Sequence, residues 1–479
     1  MASFKYMESV SKVTQTLQAI AAKSSVKKLI EAFQVAGFEL ALVGGPVRDA
    51  FLGREVSDLD LTTNALPEQI EAVVKPISKT IWDVGREFGT IACLIGGERF
   101  EITTYRSDEY DPNSRKPLVK FGKTLEGDLK RRDFSVNSLA IKFPGLELVD
   151  AGRGVEDLMA RVIDTPDSPQ ISFSDDPLRM MRAARFASQL GFKPAERVVE
   201  AMREMAERIQ IISAERIREE FEKLLLSDDP ITGIELLVNT GLAEYVLPEL
   251  VLLKETVDIQ HRHKDVYQHS LKVLEQAIDL EKSRGHRPNL VLRIAALMHD
   301  IGKPVTRRFE HGAVTFHNHD VVGAKMAKKR LRELKFDKNT TEAVGELVRL
   351  HLRFFGYTEA LWTDSAVRRY VRDAGDLLEE LHILTRADVT TGNPKKAERL
   401  EFAYDDLEER ISELAKTEEL AAIRPDLDGF EIMQILGIPG GPKVGEAYNY
   451  LLELRLENGP MDKDAATTAL KEWASQVGK

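Results

Sequence analysis

The stretch Leu42-Val43-Gly44-Gly45-Pro46-Val47-Arg48-Asp49, continued at Ser57-Asp58-Leu59-Asp60-Leu61, decides how the rest of the chain is read. The apolar run before Gly44 predicts a short buried strand, and residues 47–52 predict a short helix leaving the turn. Gly44 and Gly45 let the backbone come close to a ligand, and backbone N–H groups at a helix start favour a phosphate there. Leu59 and Leu61 alternate with Asp58 and Asp60, a period of two. On a strand both carboxylates then share one face while the leucines pack behind. Two such charges repel unless a cation lies between them, and Mg²⁺ held by carboxylates and substrate phosphates is the natural occupant. Glycine turn, arginine and paired aspartates together predict a nucleotidyl-transfer site.

With 479 residues the chain can form two to four domains with their own cores, and its apolar and charged fractions, 43% and 30%, are those of a soluble globular protein. No apolar run approaches a membrane span, and the first 28 residues lack the pattern of a secretion signal. Cys93 is the lone cysteine, which fits a reducing, cytoplasmic setting. The formal charge of −11 argues against a general nucleic-acid binder, unless the basic residues cluster, and here they do.

Along the chain, residues 8–37 predict one or two helices, 67–75 another, and 90–95 with 99–105 a hairpin turning at Gly96-Gly97. If its second strand pairs beside Asp58 and Asp60, Glu101 becomes a third carboxylate at the metal site. Residues 106–125 form a long aperiodic segment of the kind usually functional or disordered. Asp128-Leu129-Lys130-Arg131-Arg132-Asp133-Phe134-Ser135-Val136-Asn137 follows, concentrating positive charge beside an Asp and an Asn able to take a ribose or base edge. From Ser168 onward strand signals are expected to vanish in favour of amphipathic helices. The first of these carries Asp175-Asp176-Pro177-Leu178-Arg179, with Arg179, Arg182 and Arg185 repeating every three residues. On a helix that spacing predicts a cationic stripe with a carboxylate at one end, suited to a triphosphate and a base edge.

These stretches, in this order, resemble the bacterial-type (class II) tRNA CCA-adding nucleotidyltransferases of the DNA polymerase beta-like superfamily. The matching elements run from Gly44-Gly45 through Asp58-Leu59-Asp60, Glu101-Ile102-Thr103-Thr104-Tyr105-Arg106, Arg131-Arg132-Asp133 and Asp175-Asp176-Pro177-Leu178-Arg179 to Ser213-Ala214-Glu215-Arg216-Ile217. The resemblance implies that Asp58 and Asp60 hold Mg²⁺ and that Gly45 and Arg48 take the triphosphate. It places Arg132 against the nucleotide, Asp133 near the ribose, and Asp176 with Arg179 on the Watson–Crick edge of CTP and then ATP. Arg182 and Arg185 would neutralise phosphates. The segment through Arg115 matches a loop that lets the pocket change from C to A, which argues against addition of C alone. The implied chemistry is in-line attack of the tRNA 3′-hydroxyl on the α-phosphorus, with no covalent enzyme intermediate.

Nine of the ten histidines fall between residues 261 and 351. His269, His299-Asp300 and Asp388 resemble the ligands of HD-domain metal phosphohydrolases, and His319 with His351 would allow a second metal. Imidazole and carboxylate together suit Mn, Ni, Fe or Zn better than Mg²⁺. Lys325, Lys328, Lys329, Arg330, Arg332, Lys335 and Lys338 offer either a contact for RNA backbone or a solvated face.

The expected architecture is therefore multidomain. An α+β polymerase beta-like head spans residues 1–165, a helical neck that binds nucleotide and RNA 166–255, an HD-type metal domain 256–400 and a helical tail 401–479. The expected partners are tRNA, CTP and ATP, for a monomer or homodimer with no membrane association. A bacterial poly(A) polymerase, or an HD phosphohydrolase with an RNA-binding head, are the competing expectations.

Overall fold

A computed structural model describes residues 2–56, 59–107, 121–254, 256–258, 264–310, 313–354, 357, 362–390, 393–418, 420 and 423–477. The chain divides into two compact units, Met1–Val246 and Leu247–Lys479.

The first unit is built on a seven-stranded sheet. Its strands are β1 (Ala41–Val43), β2 (Leu59–Thr63), β3 (Thr80–Gly85), β4 (Thr90–Ile95), β5 (Glu98–Thr104), β6 (Leu139–Lys142) and β7 (Glu147–Asp150), in spatial order β3-β4-β5-β2-β1-β6-β7. The register Leu42↔Leu61 between β1 and β2 brings Asp60 level with the end of β1, where the glycine turn begins. On the other side of β2, β5 runs parallel with Asp60 directly opposite Glu101. Leu59 and Leu61 are buried and Asp60 is exposed, as an alternating strand with one apolar face requires. β4 and β5 are joined at Gly96 and Gly97, whose φ angles of 62° and 86° suit a two-residue hairpin turn. The edge strand β3 escapes sequence reading. It is short and irregular, its register against β4 shifts between Asp83 and Gly85, and Trp82 is half-exposed.

Two helices position the site. Gly45–Phe51 springs from Gly44, with Pro46 in its first turn. Leu125–Lys130 is capped by Thr124, whose hydroxyl accepts from the Gly127 N–H, and buries Leu125 and Leu129 against Ala41, Val43, Tyr105 and Ala140 of the sheet. The stretch around Pro177 forms two helices rather than one, Pro169–Asp175 and Leu178–Leu190. They meet at Asp176, whose carboxylate accepts from the Leu178 N–H. The helix Ala214–Leu225 completes this part with Ile217, Phe221, Leu224 and Leu225 buried.

The expectation that strands end before residue 168 is corrected. Val162–Ile163 pairs with Lys193–Pro194, and two small hairpins follow, Val257–Asp258 with Lys264–Asp265 and Arg308–Glu310 with Ala313–Thr315. Strands of two or three residues are too short to print an alternating pattern.

In the second unit the helices Val266–Ser283, Leu290–Met298, His319–Glu333, Lys338–Leu350 and Leu378–Ala387 pack together. The Arg293 guanidinium and Glu281 carboxylate, 2.8 Å apart and each 1% exposed, join the first two. Near the C-terminus, Gly429–Leu436, Pro442–Asn458 and Lys463–Val477 enclose a separate core of Leu427, Ile432, Ala447, Leu451, Ala466 and Leu470. Among the described residues no helix is long and apolar enough to cross a membrane.

Candidate active site and metal centre

At the end of β1, Gly44 adopts φ 75° and ψ −127°, a conformation that only glycine adopts readily. A Cβ placed there would come 3.1 Å from Arg132 Nη1, so this guanidinium lies directly against the turn. Arg48, one helical turn on, donates through Nη1 to Asn137 Oδ1 at 2.8 Å and through Nε and Nη2 to the two oxygens of Asp49. Its guanidinium carbon lies 5.3 Å from the centre of the Phe186 ring, which also carries Arg182 at 5.5 Å and Arg185 at 4.1 Å. Phe186 in turn packs edge-on against Phe134. One aromatic ring thus gathers arginines from the glycine turn and the neck helix, a role that composition and periodicity do not reveal.

Asp133 accepts from Arg182 Nη2 and Nε at 2.6 and 2.8 Å, from Asn137 Nδ2 at 3.1 Å and from the Phe134 N–H at 2.8 Å. Burial alone would raise its pKa. The Arg182 guanidinium overrides that and holds the carboxyl well below the usual carboxylate range. Asp128, fully buried, takes Arg131 Nη2 at 2.7 Å and Arg132 Nη2 at 3.2 Å. Here too burial opposes ionisation, and the two guanidinium groups win.

The stripe expected from Arg179, Arg182 and Arg185 is not a free cationic face. Arg185 Nε meets Glu220 at 2.5 Å, and Arg182 is shared between Asp133 and Glu220. Arg179 donates to Ser172 Oγ at 2.8 Å and to the Arg131 carbonyl at 2.7 Å. Asp176 pairs with Arg216 at 2.8 Å rather than with Arg179. Sequence reading counts the arginines and misses these acids, because residues 35 to 49 positions apart become neighbours only through the fold. Nearer the strands, Glu101 pairs with Arg99 at 2.6 Å and shares the Asp60 face of the sheet. Asp58 and Arg115 lie outside the described residues.

In the second unit, His269, His299, Asp300, His319, His351 and Asp388 converge. His269 Nε2 lies 3.0 Å from Asp388 Oδ1, 3.4 Å from Asp300 Oδ2 and 3.2 Å from His299 Nε2. His319 Nε2 and His351 Nε2 lie 3.3 and 4.0 Å from Asp300 Oδ1. Lys303 Nζ is 2.8 Å from Asp300 Oδ2. The outward nitrogens are all accounted for. Nδ1 of His299, His319 and His351 meets the carbonyl three residues earlier, on Ala296, Phe316 and Val348. His269 Nδ1 faces Thr390 Oγ1. A carbonyl can only accept, so those Nδ1 atoms carry the proton and the Nε2 lone pairs face inward, the arrangement of a metal-ligating imidazole.

Without an ion, the cluster holds a proton in its place. Burial would lower the pKa of His299, yet Asp300 and Asp388 drive it up to about 10. Burial, reinforced by the charge on His299, drops His351 to about 4. Both carboxyls stay ionised far below their usual range. Buried carboxylates ringed by imidazoles demand a positive charge, and a metal ion fits the donor set. The groups His269–His299–Asp300 and Asp300–His319–His351 each bring three donor atoms within metal-binding distance of one another. The nearby basic stretch is mostly compensated within the fold. Lys328 and Arg332 pair with Glu342, and Arg330 pairs with Glu249 and Glu333.

Comparison with known proteins bears on this pair of sites. Over 447 residues the chain is 32% identical to the A-adding tRNA nucleotidyltransferase of Deinococcus radiodurans, covering 91% of this chain and 96% of that one. The chain belongs to the tRNA nucleotidyltransferase family. It is accordingly an enzyme of nucleotidyl transfer. The family models agree, with a poly A polymerase head domain at residues 40–164, a probable RNA- and SrmB-binding site of polymerase A at 191–253 and an HD domain at 266–393. The CC-adding tRNA nucleotidyltransferase of Thermus thermophilus is 32% identical over 441 residues, 90% of this chain and 93% of that one. The CCA-adding enzyme of Lactobacillus helveticus is 41% identical over 232 residues, 48% of this chain and 57% of that protein. In fold, the Bacillus stearothermophilus CCA-adding enzyme in complex with CTP superposes with a TM-score of 0.64 at 24% identity, over 95% of this chain and 98% of that one. These matches bear out the expected polymerase head followed by RNA-binding and HD parts.

Proposed function

We propose that this tRNA nucleotidyltransferase completes the 3′ end of tRNA with CCA, drawing on CTP and ATP. The observation that carries the reading is the meeting of the Gly44 turn, Arg132 and Arg48 at the end of the strand that pairs with the Asp60 strand. The backbone of the glycine turn and the guanidinium groups of Arg48 and Arg132 bind and orient the triphosphate. Asp133 and Asn137, locked to each other and to Arg182 and Arg48, present fixed acceptors and donors for the sugar. Asp176 and Arg179 read the base edge, and Arg182 and Arg185 support the phosphates through the Phe186 platform. Mg²⁺ held by Asp58 and Asp60, with Glu101 beside them, would supply the charge that favours attack by the tRNA hydroxyl and departure of pyrophosphate. The nucleotide-binding machinery spans a head of 1–165 and a neck of 166–255. The enzyme acts in the cytoplasm as a monomer or homodimer.

A specific observation favours one alternative. The full-length relatives include an A-adding and a CC-adding enzyme, so this chain is read against division of the labour between two proteins. Transcripts of tRNA lacking three, one or no terminal nucleotides, offered with CTP and ATP and then sequenced, separate the readings. Addition of C-C-A to the shortest substrate supports the proposal. Addition of A only to tRNA ending in C-C marks an A-adding enzyme, C-C alone a CC-adding enzyme, and long A tails a poly(A) polymerase. No addition at all leaves an HD phosphohydrolase with an RNA-binding head.

The metal centre, residues 256–400, is proposed to bind Mn, Ni, Fe or Zn through His269, His299, Asp300 and Asp388, with His319 and His351 serving a second ion. Its reaction class is hydrolysis of a phosphomonoester or a 2′,3′-cyclic phosphate. Metal analysis of the purified protein beside His299→Ala tests it. An absence of transition metal from both samples would leave the cluster a purely structural role.

A further inference from the structure

Among the described residues of the first unit Asp128 is the least exposed charged group, with no accessible surface, and the reaction as read from the motifs gives it no part. It is not an isolated ion pair. Its Oδ1 accepts from Arg131 Nε and Nη2, at 3.0 and 2.7 Å, and from the Arg106 N–H at 3.0 Å, while Oδ2 accepts from Arg132 Nη2 at 3.2 Å. Each partner leads to a different part of the nucleotide site. Arg106 follows β5, the strand that carries Glu101, and bridges to Phe121. The carbonyl of Arg131 holds Arg179 Nη2 at 2.7 Å. Arg132 has one terminal nitrogen fixed by Asp128 and the other against the Gly44 turn, and its buried Nε has no hydrogen-bond partner among the described residues. The helix bearing Asp128 is itself anchored by Leu125 and Leu129 in the sheet core, so the carboxylate is held from behind.

We propose that Asp128 is a positioning residue for nucleotide binding, acting by fixing Arg132 against the glycine turn. This rests on the nucleotidyl-transfer reading of the head. Asp128 touches no substrate itself. It acts by removing the freedom of a long side chain whose other terminal nitrogen lies against the glycine turn, so the ordering cost is met in folding rather than on binding.

The test is steady-state kinetics of nucleotide addition to tRNA, with CTP and ATP varied separately, on the full-length enzyme. Asp128→Asn keeps the shape and loses the charge that holds both arginines. It is expected to raise KM for both nucleotides about tenfold or more, the range of a lost hydrogen bond to a charged group. Asp128→Glu, which keeps the charge, is expected to recover most of that loss. A merely structural role would lower the active fraction and thus apparent kcat, leaving KM unchanged. Because Asp128 works through Arg132, the asparagine substitution should raise KM no further in an Arg132→Ala background. Unchanged KM values, or effects that multiply in the double variant, would overturn the proposal. Should Asp128→Asn not fold, Asp128→Glu measured with and without Arg132→Ala gives the same two readouts. A wild-type enzyme that adds no nucleotide would sink the underlying reading as well, whereas an active wild type with an indifferent Asp128 sinks this inference alone.

Discussion

Asp133→Asn is the sharpest perturbation of the candidate nucleotide site, because it removes one charge and almost no volume. In the wild type the Asp133 side chain is 10% exposed and takes two donors from Arg182. Stranding a buried cation costs about 3–5 kcal/mol. Arg182 is 32% exposed and keeps Glu220 at 3.4 Å, so solvent and that second acid reduce the expected loss to about 2–3 kcal/mol. The pH dependence fixes the mechanism. The native carboxyl titrates well below the unfolded value of about 3.9, so the wild type enjoys this stabilisation fully above about pH 5 and loses it as pH falls toward the native pKa. Asparagine does not titrate. The stability gap between wild type and variant should therefore be constant from pH 5 to 8 and shrink below pH 4. Urea titration followed by Trp82 fluorescence reports the first unit once Trp362 and Trp473, the other two tryptophans, are replaced by Phe. A gap under about 1 kcal/mol at pH 7, or one equally large at pH 3.5, would refute the buried-pair account.

Three further outcomes follow from the same geometry. Asp60→Ala should reduce nucleotide addition to background while the transition-metal content of the second unit stays as in the wild type; metal analysis beside a tRNA-extension assay checks both. Gly44→Ala forces a side chain into φ 75°, ψ −127°, at about 1–3 kcal/mol of strain, and sets a methyl 3.1 Å from Arg132 Nη1. Weaker CTP and ATP binding by calorimetry is the expected result, and unchanged affinity would count against the turn as a phosphate seat. Arg293→Met leaves Glu281 buried without its partner and should destabilise the second unit by about 3–5 kcal/mol, a loss that adding Glu281→Leu largely restores. Thermal unfolding of the single and double variants decides it.

What the sequence disclosed follows the range of the interactions involved. The turn at Gly44 and the alternation at Leu59-Asp60-Leu61 are set by neighbours a few residues apart, and both stand as read. Glu101 could be placed beside Asp60 only on the condition that two strands separated by an intervening hairpin pair, which the parallel β2–β5 register fulfils. The arginines were visible as a stripe, but not the acids that neutralise them. Glu220 lies 35 residues beyond Arg185, and nothing in local pattern ties the two. The same holds for Phe186, which reads as one more apolar position on a helix although three guanidinium groups rest on it. A cation count along a chain therefore overstates the charge a site presents.

The candidate metal centre obeys the opposite logic, and this explains why its six side chains could be picked out from the sequence. Three of its imidazoles are aimed by the carbonyl three residues earlier, at the end or the start of a helix, so orientation is settled within one turn of chain. His299 and His351 cap helices through residues 298 and 350, and His319 opens the helix that follows Asn318. Only the convergence of those helix ends is tertiary, and it is produced by the packing of Ala295, Leu297, Leu347 and Val348, all buried. In the empty cluster Lys303 and a protonated His299 balance the charges of Asp300 and Asp388. A divalent ion that displaces the His299 proton adds a net positive charge, so the loaded centre would attract anions more strongly than the empty one. Phosphate binding at this centre should consequently strengthen with metal, and phosphate bound equally well after chelation would contradict the assignment of these six residues as one metal site.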